Sequence, residues 1–304
     1  MMNRPDLTTD LGFVTLKNPV LTASGTFGSG EEYSDFIDIS RLGAVITKGV
    51  SRTPWEGNES PRIAETPSGM LNSIGLENPG VDVFLKRDLP FLKNAGATVG
   101  VNVCGHTEDE YVDVVKRLDD PAIAFLEINI SCPNVKAGAL AFGTDPAEVE
   151  KITKLIKKNT RKPVVMKLTP NVTDIKEIAK AAEAGGADGI SLINTITGMK
   201  IDVEKQTFEL ANKTGGLSGP AIHPVAVRMV YEAAAAVKIP IIGMGGISDW
   251  KDAVEMMLAG ASAVAVGAAN FYNPEAAIEI IDGIEKYLDD HDIDRVSDIV
   301  GAVH

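Results

Sequence analysis

Cysteine is nearly missing from this chain: Cys104 and Cys132 are the only two in 304 residues. Two thiols cannot build a disulfide framework, and they are too few to hold an iron-sulfur cluster with four ligands from one chain. Long apolar runs are also missing, since no stretch approaches the about 18 residues of a membrane span. The opening Met1-Met2-Asn3-Arg4-Pro5-Asp6 puts a proline and an acid where a secretory signal needs its apolar core. A soluble, cytoplasmic protein with no membrane contact is the expectation. Positive charge is in deficit, with 29 Lys and Arg against 42 Asp and Glu and a net charge of −13. That balance disfavours a nucleic-acid footprint, although a few lysines can still make one pocket locally positive. His106, His223, His291 and His304 fit no HExxH or other clustered ligand pattern, so no metal site is expected.

What is present is a regular alternation. After a hairpin expected around Leu11 to Lys17, short β-prone runs recur at 19–23, 44–48, 98–103, 125–130, 164–168, 189–193, 241–244 and 263–266. Between them the apolar period lengthens to that of a helix, as in Ile175, Ile178, Ala179 and Ala182, or Trp250, Ala253, Val254, Met257 and Leu258. Thr107 with Glu110 three residues on, Asp145-Pro146 and Asn273-Pro274 read as helix starts, and the helix over 273–289 is the last element read. Most strands are apolar throughout, as strands covered on both faces must be. Eight βα units without a low-complexity break predict an α/β TIM (β/α)8 barrel forming one domain over 1–304, with an open doubly wound sheet as the alternative. The connections 49–81 and 195–224 exceed ordinary βα loops and are expected to cover the barrel mouth.

Strand ends in such a barrel converge on one site, and here they are polar. Lys48, Asn102, Asn129, Lys167 and Asn194 end the second to sixth strands. One such residue can be a cap or a paired core group; five at comparable positions point to a shared site. Carboxamides offer both donor and acceptor to an imide or amide ring, and a fixed ammonium stabilises negative charge where it develops. The segment Glu127-Ile128-Asn129-Ile130-Ser131-Cys132-Pro133-Asn134 adds a thiol at a turn-like position. With an ordinary pKa of about 8.5, Cys132 can serve as a base. A lone cysteine is equally a small hydrophobe, and position alone does not separate the two. Cys104 reads as structural. Gly245-Gly246-Ile247 and Gly267-Ala268-Ala269-Asn270 follow the last two strands, where backbone amides can cradle a phosphomonoester or simply make tight turns. Lys151, Lys154, Lys157 and Lys158 read as the solvated side of a helix.

The ordered set resembles the FMN-dependent dihydroorotate dehydrogenases, specifically catalytic subunits of the class 1B, NAD-linked type. The likeness runs from about Leu11 to Ala269. It rests on Leu21-Thr22-Ala23-Ser24-Gly25-Thr26-Phe27-Gly28, Thr47-Lys48-Gly49, Asn72-Ser73-Ile74-Gly75-Leu76-Glu77-Asn78, the Cys132 segment and Phe142-Gly143-Thr144-Asp145-Pro146. It continues through Lys167-Leu168-Thr169-Pro170-Asn171, Asn194-Thr195-Ile196-Thr197-Gly198 and Gly216-Leu217-Ser218-Gly219-Pro220-Ala221. The resemblance implies that Cys132 takes a proton from C5 of (S)-dihydroorotate while hydride passes from C6 to FMN, giving orotate in pyrimidine biosynthesis.

By the same resemblance, Lys48, Asn72, Ile74, Gly75, Leu76, Asn129, Asn134, Asn194 and Thr195 contact substrate. Ala23, Ser24, Lys48, Asn102, Asn129, Lys167, Gly219, Gly245, Gly246, Gly267 and Ala268 contact FMN. It further implies a catalytic homodimer flanked by electron-transfer subunits carrying FAD and a [2Fe-2S] cluster, a heterotetramer that passes electrons to NAD. The two cysteines here agree with that division of labour. Ala139 stands where relatives often carry glycine. The alternatives are a class 1A, fumarate-linked enzyme, or a flavin oxidoreductase of the dihydropyrimidine or dihydrouridine type. The acidic composition opposes an RNA substrate.

Overall fold

The computed structural model describes residues 4–130 and 142–304. A short antiparallel hairpin opens the chain, β1 (Thr9–Asp10) with β2 (Thr15–Leu16). Then come β3 (Val20–Thr22) and β4 (Val45–Ile46), followed by β5 (Ile63–Thr66) and β6 (Gly69–Asn72) inside the first long connection. Next are β7 (Val99–Val103), β8 (Ile123–Asn129), β9 (Val164–Lys167) and β10 (Gly189–Leu192). The second long connection holds β11 (Ile196–Met199), β12 (Ile201–Asp202), β13 (Thr207–Phe208) and β14 (Thr214–Ser218), before β15 (Ile241–Met244) and β16 (Ala263–Val266).

Eight of these strands form one parallel sheet in the order β3-β16-β15-β10-β9-β8-β7-β4. A parallel bridge between Leu21 and Ala44 joins its two edges, so the sheet closes into the expected (β/α)8 barrel. All eight β-prone runs became barrel strands, most within a residue or two of the expected ends.

Helices pack outside. The first is a compound turn, α1 (Val81–Val83) and α2 (Leu89–Asn94) joined by a π-helical segment over Phe84–Asp88. It is followed by α3 (Glu108–Arg117), α4 (Pro146–Asn159), α5 (Ile175–Ala184), α6 (His223–Ala234), α7 (Trp250–Leu258), α8 (Ala269–Tyr272) and α9 (Ala276–Asp290). Thr107 caps α3 by accepting from the Glu110 amide, and Asp145 caps α4 with Pro146 in its first turn. Asn273 does not start α9 as expected. It ends α8 and turns the chain by accepting from the Glu275 amide, so that α9 begins at Ala276. A 3-10 turn over Val296–Ile299 extends the fold past the last helix read from sequence. Lys151, Lys154 and Lys158 lie exposed on α4, opposite buried Val149, Ile152 and Ile156.

Two apolar layers hold the barrel. One lies between strands and helices. The other fills the lumen with Leu21, Ile46, Phe125, Val165, Ile242 and Ala263, and the β1–β2 hairpin adds Leu11 and Leu16 to it. Phe13 of that hairpin meets Phe125 edge-on at 5.8 Å. Burying each large side chain is worth about 1.5–3 kcal/mol. One end of the lumen is therefore plugged by apolar groups, and polar groups collect at the other.

The two long connections are not loops. Their strands β11, β14, β6 and β5 pair in that order as an antiparallel sheet beside the barrel mouth.

Candidate active site at the barrel mouth

Strand periodicity aims the polar residues. Side chains two apart on a strand share a face, so lumen-filling Ile46 is followed by Lys48, Phe125 by Glu127 and Asn129, and Val165 by Lys167. At the carboxyl ends of these strands a cavity of about 430 Å³ opens. It is lined by Lys48, Asn72, Ile74, Gly75, Leu76, Asn129, Lys167, Asn194 and Thr195 together with Ala23, Ser24, Gly219, Gly245, Gly246, Gly267 and Ala268. Every site residue expected from sequence thus meets in one cavity, apart from three. Cys132 and Asn134 lie outside the described residues. Asn102 is fully buried and does not line the cavity; its side-chain amide donates to Glu127 at 2.6 Å.

Glu127 is the residue that sequence reasoning passed over. It is fully buried, accepts from the Ser191 hydroxyl at 2.8 Å as well as from Asn102, and lies 3.5 Å from Lys167 Nζ. A carboxylate this deep is tolerated only when its charge and lone pairs are matched, and here an ammonium and two donors do so. The signal was available, because an acid inside the apolar run Phe125–Ile130 needs a partner. The connection strands also contribute wall residues that the sequence did not flag, among them Ile63, Met70 and Ser218.

Lys48 stands half-buried in the wall. Burial pushes its ammonium below the usual lysine range, opposed by the charges of Glu77 and Cys104 and aided by Arg62. The loop beside it is fixed by Asn78, whose buried side chain accepts from the Ser51 and Gly80 amides and donates to the Leu76 carbonyl at 2.8 Å. That bond helps hold Leu76 at φ +55°, a left-handed conformation that non-glycine residues seldom adopt. On the opposite wall, Asn171 donates to the Thr195 carbonyl at 3.1 Å and accepts from the Thr197 amide at 2.9 Å, which sets the chain beyond Asn194.

The glycine turns differ in what they demand. Gly246 has φ +69°, and a Cβ there would come within 2.8 Å of the Gly219 carbonyl and of His223 Cβ, so packing and conformation both require glycine. Gly267 has no such constraint: a Cβ would meet nothing nearer than Ala23 Cβ at 3.5 Å. Among the described residues, the amides of Gly246, Gly267 and Ala268 donate to no protein acceptor. Half-buried amides without partners, beside a glycine that the protein's own packing does not need, fit a phosphate held by backbone donors. With apolar Ile193, Ile222, Met244 and Ala265 on its walls, the same cavity suits a flat ring carrying a phosphate arm. No described helix is long and apolar enough to cross a membrane.

A family model described as "Dihydroorotate dehydrogenase" matches residues 6–288. A protein of Lachnoclostridium phytofermentans named "Dihydroorotate dehydrogenase B (NAD(+)), catalytic subunit" is 61% identical over 290 residues, covering 95% of this chain and 97% of the relative. Proteins with the same name from Alkaliphilus metalliredigens and a Geobacter species are 58% and 54% identical, each covering 99% of this chain and at least 99% of the relative.

Proposed function

Because the chain belongs to the dihydroorotate dehydrogenase family, we propose that it is the catalytic subunit of an NAD-linked enzyme that oxidises (S)-dihydroorotate to orotate in pyrimidine biosynthesis. It is an oxidoreductase. The observation that carries this reading is the convergence of Lys48, Lys167, Asn72, Asn129 and Asn194 on one cavity, in a chain that matches these relatives along nearly its whole length.

FMN is the group that the cavity fits, with Gly246, Gly267 and Ala268 holding its phosphate and Lys167 near the ring. When bound, it supplies the acceptor for the hydrogen that leaves C6 of the substrate with its electron pair. The chain's own residues do the rest. Lys48 attracts the substrate carboxylate, and Asn72, Asn129 and Asn194 pair with the ring's amide groups, joined by Asn134. Holding the ring flat fixes the angle at which C6 faces the acceptor. Cys132, three positions beyond Asn129 in the sequence, takes the proton from C5, which the neighbouring carbonyl acidifies. Glu127 keeps the Lys167 ammonium in place, so that positive charge stands ready where negative charge grows.

The relatives' name speaks of a catalytic subunit, which supports a partner. Two cysteines leave any four-cysteine iron-sulfur cluster to that partner, in keeping with the assembly that the family resemblance implies, a catalytic homodimer flanked by subunits carrying FAD and [2Fe-2S].

The test offers dihydroorotate, dihydrouracil and dihydrouridine in turn to the purified flavoprotein without oxygen. Preferential bleaching of the flavin by dihydroorotate supports the reading, and preference for either other compound overturns it. Co-purification with an FAD and iron-sulfur protein, followed by dihydroorotate-dependent NAD reduction, tests the electron route. Turnover of the isolated catalytic protein with fumarate would replace that route by the class 1A one.

A further inference from the structure

Behind the Gly245-Gly246 turn, on the side away from the cavity lumen, three potential ligands from two helices face one another. His223 opens α6, while Asp252 and Glu255 stand three apart on one face of α7. His223 Nε2 lies 3.3 Å from Glu255 Oε2 and 3.7 Å from Asp252 Oδ1, and all three atoms fall within 4.8 Å of one another. Metal bonds of about 2.0–2.2 Å at tetrahedral angles place ligand atoms about 3.3–3.6 Å apart, close to the two separations measured from His223.

The histidine itself points to a cation. It is 7% exposed, and its Nε2 is buried without a hydrogen bond. Its other nitrogen, Nδ1, lies 2.9 Å from the Gly245 carbonyl oxygen. A carbonyl only accepts, so Nδ1 carries a proton, and the buried Nε2 is turned toward two carboxylate oxygens. Nε2 and the two carboxylate oxygens thus converge on one point, the arrangement of a metal-ligand set. The supporting shell is already built: the Gly245 carbonyl fixes the tautomer, and Asp252 Oδ2 accepts from the Ser248 amide at 2.8 Å and the Asp249 amide at 3.3 Å, which leaves Oδ1 for the site.

We propose that His223, Asp252 and Glu255 bind one divalent transition-metal cation of the zinc type, clamping α6 to α7 behind the Gly245-Gly246 turn. One imidazole with two carboxylates favours zinc, cobalt or nickel over magnesium or calcium, which prefer oxygen throughout. Glu255 is exposed, so solvent has access to the site and supplies the remaining ligand. The sequence pattern hid this trio because Asp252 lies 29 positions after His223 and no ligand pair has a metalloenzyme spacing.

The test is calorimetric titration of Zn²⁺ into tag-free, chelator-treated protein with its flavin bound, comparing the native chain with Glu255→Gln, His223→Gln and a control, His291→Gln. One saturable site per chain is expected, weakened about tenfold or more by Glu255→Gln and lost in His223→Gln, with His291→Gln unchanged. Glu255→Gln alters an exposed side chain, so it keeps the test valid should His223→Gln fail to fold. Absence of a saturable site, or equal affinity in the native chain and Glu255→Gln, overturns the proposal and leaves an imidazolium paired with two acids. A crystal soaked in Zn²⁺ gives the second readout: an anomalous peak between the three side chains supports the site, and a peak only elsewhere refutes it.

Discussion

Lys167 Nζ lies 3.5 Å from Glu127 Oε1 beneath the barrel mouth, and both side chains are buried. Taking the charge from Glu127 while keeping its shape isolates what the pair does. Glu127→Gln leaves an uncompensated ammonium, for which a loss of about 3–5 kcal/mol is the expectation when a buried pair is broken, lessened by the hydrogen bonds that Gln retains. The bound flavin should at the same time become easier to reduce, because more positive charge faces it. Urea unfolding measures the first effect and spectroelectrochemistry the second. An unchanged flavin potential would mean that the pair serves stability alone.

Cys132→Ser should slow flavin reduction by dihydroorotate by roughly 10²–10⁴, the usual contribution of a positioned base, because a neutral hydroxyl is a far weaker base at the same pH. Flavin content should not change. Stopped-flow bleaching at saturating substrate reads the rate, and a rate equal to that of the native chain would remove Cys132 from the mechanism.

Lys48 sets a pH dependence whose sign follows from its environment. Burial lowers its pKa from the ordinary 10.5, so the ammonium is lost at a lower pH than for a solvated lysine. Binding of an anionic substrate needs the charged form. Its KM should therefore be flat at neutral pH and rise on the alkaline side, beginning below pH 10.5. In Lys48→Met the KM should be higher by about one to two powers of ten at neutral pH, the worth of a charged hydrogen bond, and this alkaline rise should disappear. A Lys48→Met profile that keeps the rise would assign it to another group.

Much of this was legible in the sequence because barrel strands are short, apolar and punctuated. Val164–Lys167 or Ile241–Met244 can hardly be anything else once helices with clear apolar faces flank them. The polar strand ends followed directly, since Ile46 and Lys48 share a face by strand geometry alone. The sheet of β5, β6, β11 and β14 was hidden. Its strands are rich in glycine and polar residues, and what makes them strands is pairing across the two connections, as between Leu71 and Leu217, which no local pattern records. Asn102 shows the limit for the site. Its place at a strand end is legible, but the donation of its side-chain amide to buried Glu127 on the neighbouring strand is a contact that no local pattern records.

The two glycine turns can be separated by experiment because one is demanded by the fold and the other is not. Gly246→Ala forces a Cβ into a left-handed backbone at φ +69° and against the Gly219 carbonyl and His223, so it should cost stability, more than about 1 kcal/mol from conformation alone. Gly267→Ala meets no protein atom closer than 3.5 Å, so the melting temperature of the flavin-free protein should hardly move. Its methyl instead stands on the cavity wall facing Ala23, beside the Gly267 and Ala268 amides, so FMN affinity should fall by about tenfold or more, as when charged hydrogen bonds of about 1.5–3 kcal/mol are disturbed. Fluorescence titration of FMN, paired with thermal melts of the stripped protein, reads both quantities on the same samples. If Gly267→Ala binds FMN as tightly as the native chain, the phosphate does not sit on these amides, and the cavity must hold its anionic ligand elsewhere along the wall.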